Sequence, residues 1–95
     1  MRDGQKWTKL DKTIQSKNFE LELTSSQKSL PITFTPTLNI PAGTKARNSW
    51  HIRLEGKRLE IWINNKLVKD EILSQEHTYE IQSQQNILDG RIRIL

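Results

Sequence analysis

Apolar and polar residues alternate with a period of two along most of the chain. In the segment FELELT, Phe19, Leu21 and Leu23 fall on one side and the two glutamates on the other. Such alternation is typical of a strand that is buried on one face only. Comparable segments cover residues 30–40, 48–55, 58–63, 66–72, 78–83 and 91–95. The pattern predicts about seven or eight short strands and no long helix.

The segment 48–72, NSWHIRLEGKRLEIWINNKLVKDEI, carries the clearest register. If Gly56 and Lys57 form a two-residue turn, counting outward places Arg53 opposite Glu60. One face of this hairpin is then wholly apolar: Trp50, Ile52, Leu54, Leu59, Ile61 and Ile63. The other face carries opposite charges in facing positions, which favours the same register.

A second two-residue turn is predicted at Asn64 and Asn65, because asparagine tolerates positive φ. The count then sets Trp62 opposite Leu67, Ile61 opposite Val68, and Glu60 opposite Lys69. The outer face of the predicted sheet consists of a charged row, Arg53, Glu60 and Lys69, and an apolar island, His51, Trp62 and Leu67.

The remaining segments complete an all-β picture. Pro31 and Pro36 interrupt residues 30–40 and predict an edge strand, or two short strands bent at Pro36. Residues 64–76 are compatible with a short helical turn, although the pattern favours a strand followed by a loop. The stretch QQNILDG is rich in turn-forming residues and precedes a last strand with Ile92 and Ile94 inward. We predict one antiparallel β-sandwich over residues 1–95, either a whole protein or a module of a larger one.

Composition narrows the chemistry. The chain of 95 residues has no cysteine, so disulfides and thiolate metal sites are excluded. His51 and His77 lack the spacing of metal ligands, and the sequence predicts neither a metal nor another cofactor. Only calcium binding by loop carbonyl oxygens stays open as an alternative. No window approaches the roughly 20 apolar residues that a membrane-spanning helix needs. The residues do not decide between a cytoplasmic chain and an extracellular module of a longer one.

The net charge of +4 raises the question of nucleic-acid binding. The densest basic group is Lys45, Arg47, Arg53, Lys57 and Arg58. Acidic segments interrupt the basic ones, and a solvated loop beside charge-paired strands explains the group adequately. Nucleic-acid binding is therefore only the third hypothesis for the function of the chain.

The segment 48–72 resembles the central strands of concanavalin A-like and LamG-like sandwiches, in particular bacterial domains called keto-glycoside-hydrolase-like. Trp50, Gly56, Trp62, Asn64 and Val68 occupy the places of that pattern, and SKNFELEL and LDGRIRIL resemble its early and late strands more loosely. The chain departs from the pattern in having an asparagine at position 65, where glycine is usual, and in being shorter. The resemblance implies a jelly-roll fold and a non-catalytic accessory module that binds carbohydrate.

An enzyme of this class would use acidic residues on alternate positions of one strand. Glu20 and Glu22 have this spacing, and two carboxylates about 5–5.5 Å apart suit retaining glycoside hydrolysis. However, Thr24 and Ser25 stand where a third acid is expected, and the chain lacks a Gly-x-Ser-x-Gly nucleophile motif. The sequence therefore predicts a solvated strand face rather than a catalytic centre.

Trp62 carries the binding hypothesis, because the apolar faces of sugar rings stack on aromatic planes while polar neighbours take hydroxyl groups. The predicted ligand-binding residues are Trp62, Arg53, Glu60, Asn64 and His51. Trp7 and Tyr79 are candidate aromatic partners. In the alternative interpretation, Trp7, Leu10 or a neighbouring domain covers Trp62, and the chain is a structural or protein-contact domain.

Overall fold

A computed structural model of the chain describes residues 6–84 and 87–95. Every regular element in these ranges is a β-strand, so the all-β prediction is confirmed. The described residues form nine strands: β1 (Thr8–Lys9), β2 (Ile14–Ser16), β3 (Phe19–Ser25), β4 (Ile32–Thr35), β5 (Asn48–Glu55), β6 (Arg58–Ile63), β7 (Lys66–Ile72), β8 (Tyr79–Ser83) and β9 (Ile87–Ile94). None of the described segments is a helix long and apolar enough to span a bilayer.

The strands form two antiparallel sheets of unequal size. The large sheet has the order β1-β9-β3-β5-β6-β7, and the small sheet has the order β2-β8-β4. The apolar sides of β3, β5 and β6 meet residues of the small sheet, as where Phe19 and Phe34 stack with ring centroids 6.0 Å apart. The two-sheet, sandwich-like arrangement was therefore predicted correctly.

The core follows the alternation of the sequence. Its buried residues are Leu10, Phe19, Leu21, Leu23, Ile32, Phe34, Leu38, Trp50, Ile52, Leu54, Leu59, Ile61, Ile63, Tyr79, Ile81 and Ile92. All six residues predicted for the apolar face of the central hairpin are among them. Burial of each large apolar side chain contributes about 1.5–3 kcal/mol, and this set therefore provides the main stabilisation of the fold.

The first predicted hairpin is confirmed position by position. Arg53 lies opposite Glu60 and Trp50 opposite Ile63, and all the intervening pairs keep the same register. Gly56 has a φ of 62°, as the first position of the predicted turn requires. Since a slip of one residue would expose the apolar face, hydrophobic burial fixes this register.

The second hairpin keeps its turn but changes register at Val68. Asn64 and Asn65 have φ values of 53° and 68°, and Trp62 lies opposite Leu67 as predicted. Beyond Trp62 the register shifts, so that Ile61 lies opposite Lys69 and Glu60 opposite Asp70. The predicted pairs Ile61 with Val68 and Glu60 with Lys69 were wrong, because the extra residue of a β-bulge was not foreseen.

Outside the hairpins, the predictions from the sequence were correct in part. β4 is an edge strand, as its prolines indicated, but it ends at Thr35 and no second strand follows Pro36 within 37–40. β1 and β2 were not predicted from the sequence. In QQNILDG, residues 85 and 86 lie outside the described residues, whereas 87–90 belong to β9 rather than to a turn.

Candidate functional site

The outer face of the large sheet carries a ladder of ion pairs. Glu20 on β3 is the most enclosed of its charged residues, with 7% of its surface exposed. Its Oε1 accepts two hydrogen bonds from Arg93, at 2.9 Å from Nε and 2.7 Å from Nη2. Its Oε2 lies 2.5 Å from Nε2 of His51. Glu20 thus ties β9, β3 and β5 together.

Opposing effects set the ionisation of Glu20. Burial raises the pKa of this carboxyl group, but the hydrogen bonds from Arg93 and His51 and their charges outweigh burial and hold the pKa below its ordinary value of 4.5. Glu20 is therefore a charged, fully partnered structural anion at neutral pH.

One rung further along the sheet, Glu22 pairs with Arg91. The guanidinium donates to Glu22 Oε1 from Nε at 2.9 Å and from Nη2 at 2.6 Å. Trp7 packs against the same cation, whose Cζ is 4.4 Å from the centroid of the Trp7 ring, and also against Arg93 at 4.9 Å. The N-terminal segment therefore covers the β9 side of the outer face through cation–π contacts.

A shallow depression of about 470 Å³ opens on this face beside Trp62. Its lining residues are Glu22, Leu23, Thr24, Ser49, Trp50, His51, Trp62, Asn65, Asp89 and Arg91. They come from β3, β5, β6, β9 and the turn after β6. The depression combines an indole ring with carboxylates, a guanidinium, hydroxyls and an amide within one hollow.

Trp62 is half-buried and forms one wall of the depression. Its ring centroid lies 5.0 Å from that of His51, with the two planes inclined by 40°. The two residues that the alternative interpretation placed over it lie elsewhere. Leu10 is buried in the core, and Trp7 rests on the arginines of β9. Neither Trp7 nor Leu10 therefore covers the Trp62 side chain.

The predicted site residues fall into two groups. His51 and Trp62 line the depression. Arg53 and Glu60 lie further along the sheet, where Arg53 Nη2 is 2.9 Å from Glu55 and Nη1 is 3.8 Å from Glu60. These two side chains stabilise the ladder and are not among the lining residues.

The fifth predicted residue, Asn64, is used inside the fold. Its Oδ1 accepts a hydrogen bond from the Ser49 amide at 2.9 Å, and its Nδ2 donates to Asn48 Oδ1 at 3.1 Å. The neighbouring Asn65 lines the depression instead. The aromatic partner suggested for Trp62, Tyr79, is buried, and burial raises its pKa. It contacts Phe34 and His77 rather than Trp62.

Sequence reasoning did not assign six charged or polar lining residues to the binding site: Glu22, Thr24, Ser49, Asn65, Asp89 and Arg91. The alternation of LDGRIRI does place Asp89 and Arg91 on one side of a strand. The alternation does not identify the neighbouring strand, because β9 pairs with β3, which lies far away in the sequence. An alternating pattern fixes which face a residue occupies but not which strand lies beside it.

The two glutamates that were considered as catalytic acids each pair with an arginine, Glu20 with Arg93 and Glu22 with Arg91. For Glu20, the contacts with Arg93 and His51 hold the pKa below its ordinary value. No group of three or more His, Asp or Glu side chains in the described part of the chain has the geometry to hold a metal ion.

The basic group weighed for nucleic acid is only partly available. Arg58 donates to Asp70 at 3.1 Å and 3.3 Å, and this carboxylate raises the pKa of Arg58. Arg53 is paired with Glu55, while Lys45, Arg47 and Lys57 are exposed. The paired cations would have to exchange their carboxylates for phosphates, which reduces the gain from binding a polyanion.

Comparisons of the chain with protein-family models, with curated proteins and with solved structures find no match. The interpretation of the site therefore depends on its own geometry.

Proposed function

We propose that the protein is a non-catalytic binding module for carbohydrate, and that the depression beside Trp62 is its binding site. The observation that carries the proposal is the meeting of an aromatic wall, Trp62, with the charged and polar groups of Glu22, Asp89, Arg91 and Asn65 in one open hollow. The most enclosed charged residue of the same face, Glu20, is already paired with Arg93 and His51. The hollow is therefore the region of this face where a ligand can be recognised.

The chemistry of the lining suits a sugar ring. An indole offers an apolar plane for the C–H face of a pyranose, while carboxylates accept and amides and guanidinium groups donate hydrogen bonds to hydroxyls. The hollow is open rather than enclosed, so it would take the side or end of a chain of sugars. A site of this depth predicts modest affinity, because part of the ligand surface stays in water.

The fold agrees with this proposal at a coarse level. We infer a concanavalin A-like or LamG-like sandwich of the jelly-roll type, supported by two antiparallel sheets and by the three consecutive strands from Trp50 to Val68 that motivated the resemblance. In this view the chain is an accessory module, and any glycoside-active centre belongs to a larger protein.

The proposal predicts that Trp62→Ala weakens sugar binding about tenfold or more while the fold persists. Loss of the aromatic wall removes the stacking plane, and such stacking contributes about 0.5–1.5 kcal/mol beyond area burial. A glycan array identifies the best oligosaccharide, and calorimetric titration with that oligosaccharide measures the loss. Trp62→Phe should retain most of the affinity, and Leu88→Ala serves as a control on β9 that lies outside the lining residues.

Two results would contradict the proposal. The first is an array without hits for the folded wild-type chain. The second is an affinity that Trp62→Ala leaves unchanged. Binding to heparin-like or nucleic-acid probes that falls steeply with salt would instead favour the basic group as the site.

A further inference from the structure

Among the described residues, β7 is an edge of the large sheet with no further strand beside it, and it carries exposed apolar side chains among charged ones. The described residues include four large hydrophobic side chains that are strongly exposed, and three of them lie on this strand: Leu67 at 48%, Val68 at 43% and Ile72 at 68%. Natural proteins usually protect an exposed edge with charges, prolines or a covering segment, because its free backbone groups pair readily with another strand. β7 does carry charged residues and a bulge, but its exposed apolar side chains between them make it a candidate interface.

The bulge in β7 gives the strand a symmetrical order of side chains. Opposite consecutive residues of β6, from Trp62 back to Arg58, β7 places Leu67, Lys69, Asp70, Glu71 and Ile72 in that order. Because Val68 is the extra residue of the bulge, Leu67 and Ile72 lie at equal ladder distances on either side of Asp70. Lys69 and Glu71 flank the same centre with opposite charges.

The unpaired backbone groups belong to the same symmetrical set. The Leu73 amide donates to the Lys57 carbonyl, which marks a hydrogen-bonded pair between β7 and β6. Since hydrogen-bonded and non-hydrogen-bonded pairs alternate along an antiparallel ladder, Glu71 and Lys69 also point their backbone groups towards β6. Leu67, Asp70 and Ile72 therefore direct their backbone groups away from the sheet.

We propose that β7 pairs antiparallel with β7 of a second copy of this chain, about a two-fold axis through Asp70. In that register each Leu67 meets Ile72 of the other copy on the outer face, and each Lys69 meets Glu71 of the other copy on the inner face. The edge is thus complementary to itself in both apolar contacts and charge, as a two-fold interface requires. The large sheet then continues across two molecules.

The centre of the interface brings two Asp70 side chains together. Each Asp70 already accepts hydrogen bonds from Arg58 of its own chain at 3.1 Å and 3.3 Å. A guanidinium group therefore neutralises each of the two carboxylates. This pairing offsets the repulsion that two bare carboxylates in facing positions would produce. The two-fold axis stands perpendicular to the continuous sheet, so both outer faces lie on the same side.

A charge-swap series in sedimentation equilibrium tests the pairing. Lys69→Glu alone and Glu71→Lys alone should each weaken self-association about tenfold or more, because both facing pairs become repulsive. The double variant Lys69→Glu with Glu71→Lys should restore the wild-type dissociation constant, since the two facing pairs are again of opposite charge. Lys69 also lies 3.1 Å from Glu71 of its own chain, and the double variant restores the opposite charges of this intramolecular pair as well. The charge-swap series is therefore combined with Ile72→Lys, which leaves both charges in place.

A matched pair of apolar substitutions locates the interface. Ile72→Lys should weaken self-association, whereas Leu88→Lys, at a similarly exposed residue of β9 with 54% of its surface accessible, should leave it unchanged. A wild-type chain that stays monomeric up to about millimolar concentration would overturn the proposal. Failure of the double variant to recover, or equal effects of the two lysines, would overturn it as well.

Amide hydrogen exchange provides an independent readout. At high protein concentration the amides of Leu67, Asp70 and Ile72 should gain protection, because only these face the second copy. The Glu71 amide, which points towards β6, should be protected at every concentration. Uniform protection along β7, or none that depends on concentration, would contradict the register.

Discussion

We expect Asn48→Asp to lower the free energy of unfolding by about 3–5 kcal/mol at neutral pH, a large share of the stability of a domain of this size. Asn48 begins β5 and is 1% exposed. Its Nδ2 donates to the carbonyls of Gln27 and Lys45 at 3.1 Å and 2.8 Å. A carboxylate has no proton to donate to either carbonyl. The substitution would therefore place a charged oxygen against two carbonyl oxygens in a buried position.

The other side of the same amide holds the loop and turn around it. Asn48 Oδ1 accepts from the amides of Thr44 and Lys45 at 3.1 Å and 3.0 Å, and from Asn64 Nδ2 at 3.1 Å. The surrounding backbone is fitted closely to the amide, because a Cβ at Gly43 would overlap it. Asn48 therefore links the loop before β5 to the turn that carries Asn65 into the depression.

Urea unfolding followed by tryptophan fluorescence measures this change. Asn39→Asp is the matched control, since Asn39 is exposed and the same chemical change there should stay within about 0.5 kcal/mol. A loss below about 1 kcal/mol for Asn48→Asp would mean that the buried amide does not hold its two carbonyls. The control also excludes a general effect of added negative charge.

The sequence predicted those parts of the fold that local rules determine. The hairpin from Trp50 to Ile63 was predicted pair by pair, because a turn with glycine, an apolar face and facing charges all required one register. The bulge at Val68 was not predictable in the same way. Both faces of β7 are largely exposed, so the two registers do not differ in how much apolar surface they bury.

The site was predicted only in part, for a related reason. Trp62 and His51 could be placed together because they lie on adjacent strands of one hairpin. Arg91 reaches Glu22 through the pairing of β9 with β3, which joins residues far apart in the chain. Asn64 was expected to meet a ligand, but a hydrogen bond to Asn48, which the turn pattern does not reveal, turns its amide inward.

The second large effect is expected at Glu20. We expect Glu20→Gln to destabilise the fold by about 2 kcal/mol at pH 7, because hydrogen bonds to a charged group are worth about 1.5–3 kcal/mol and an amide retains only part of them. Arg93 and His51 both lose the charge of their shared partner. Arg93 stays partly in contact with solvent, which keeps the expected loss near the lower half of that range.

The loss should depend on pH in a definite direction. The folded-state pKa of Glu20 lies below its ordinary value of 4.5, so the unfolded chain takes up a proton first as pH falls. The stability contributed by the carboxylate is therefore complete above pH 4.5 and disappears as pH falls through the folded-state pKa. The difference between the wild type and Glu20→Gln should narrow between pH 7 and about pH 3.

Glu22→Gln is the matched control, because Glu22 lies on the same strand and face and pairs with a more exposed arginine. Its loss at pH 7 should stay below about 1 kcal/mol, as is usual for exposed ion pairs. Urea unfolding of the three proteins at pH 7 and at pH 3 provides the comparison. If the Glu20→Gln gap keeps its full size at pH 3, the loss arises from the shape of the amide rather than from the missing charge, and the electrostatic role of Glu20 is contradicted.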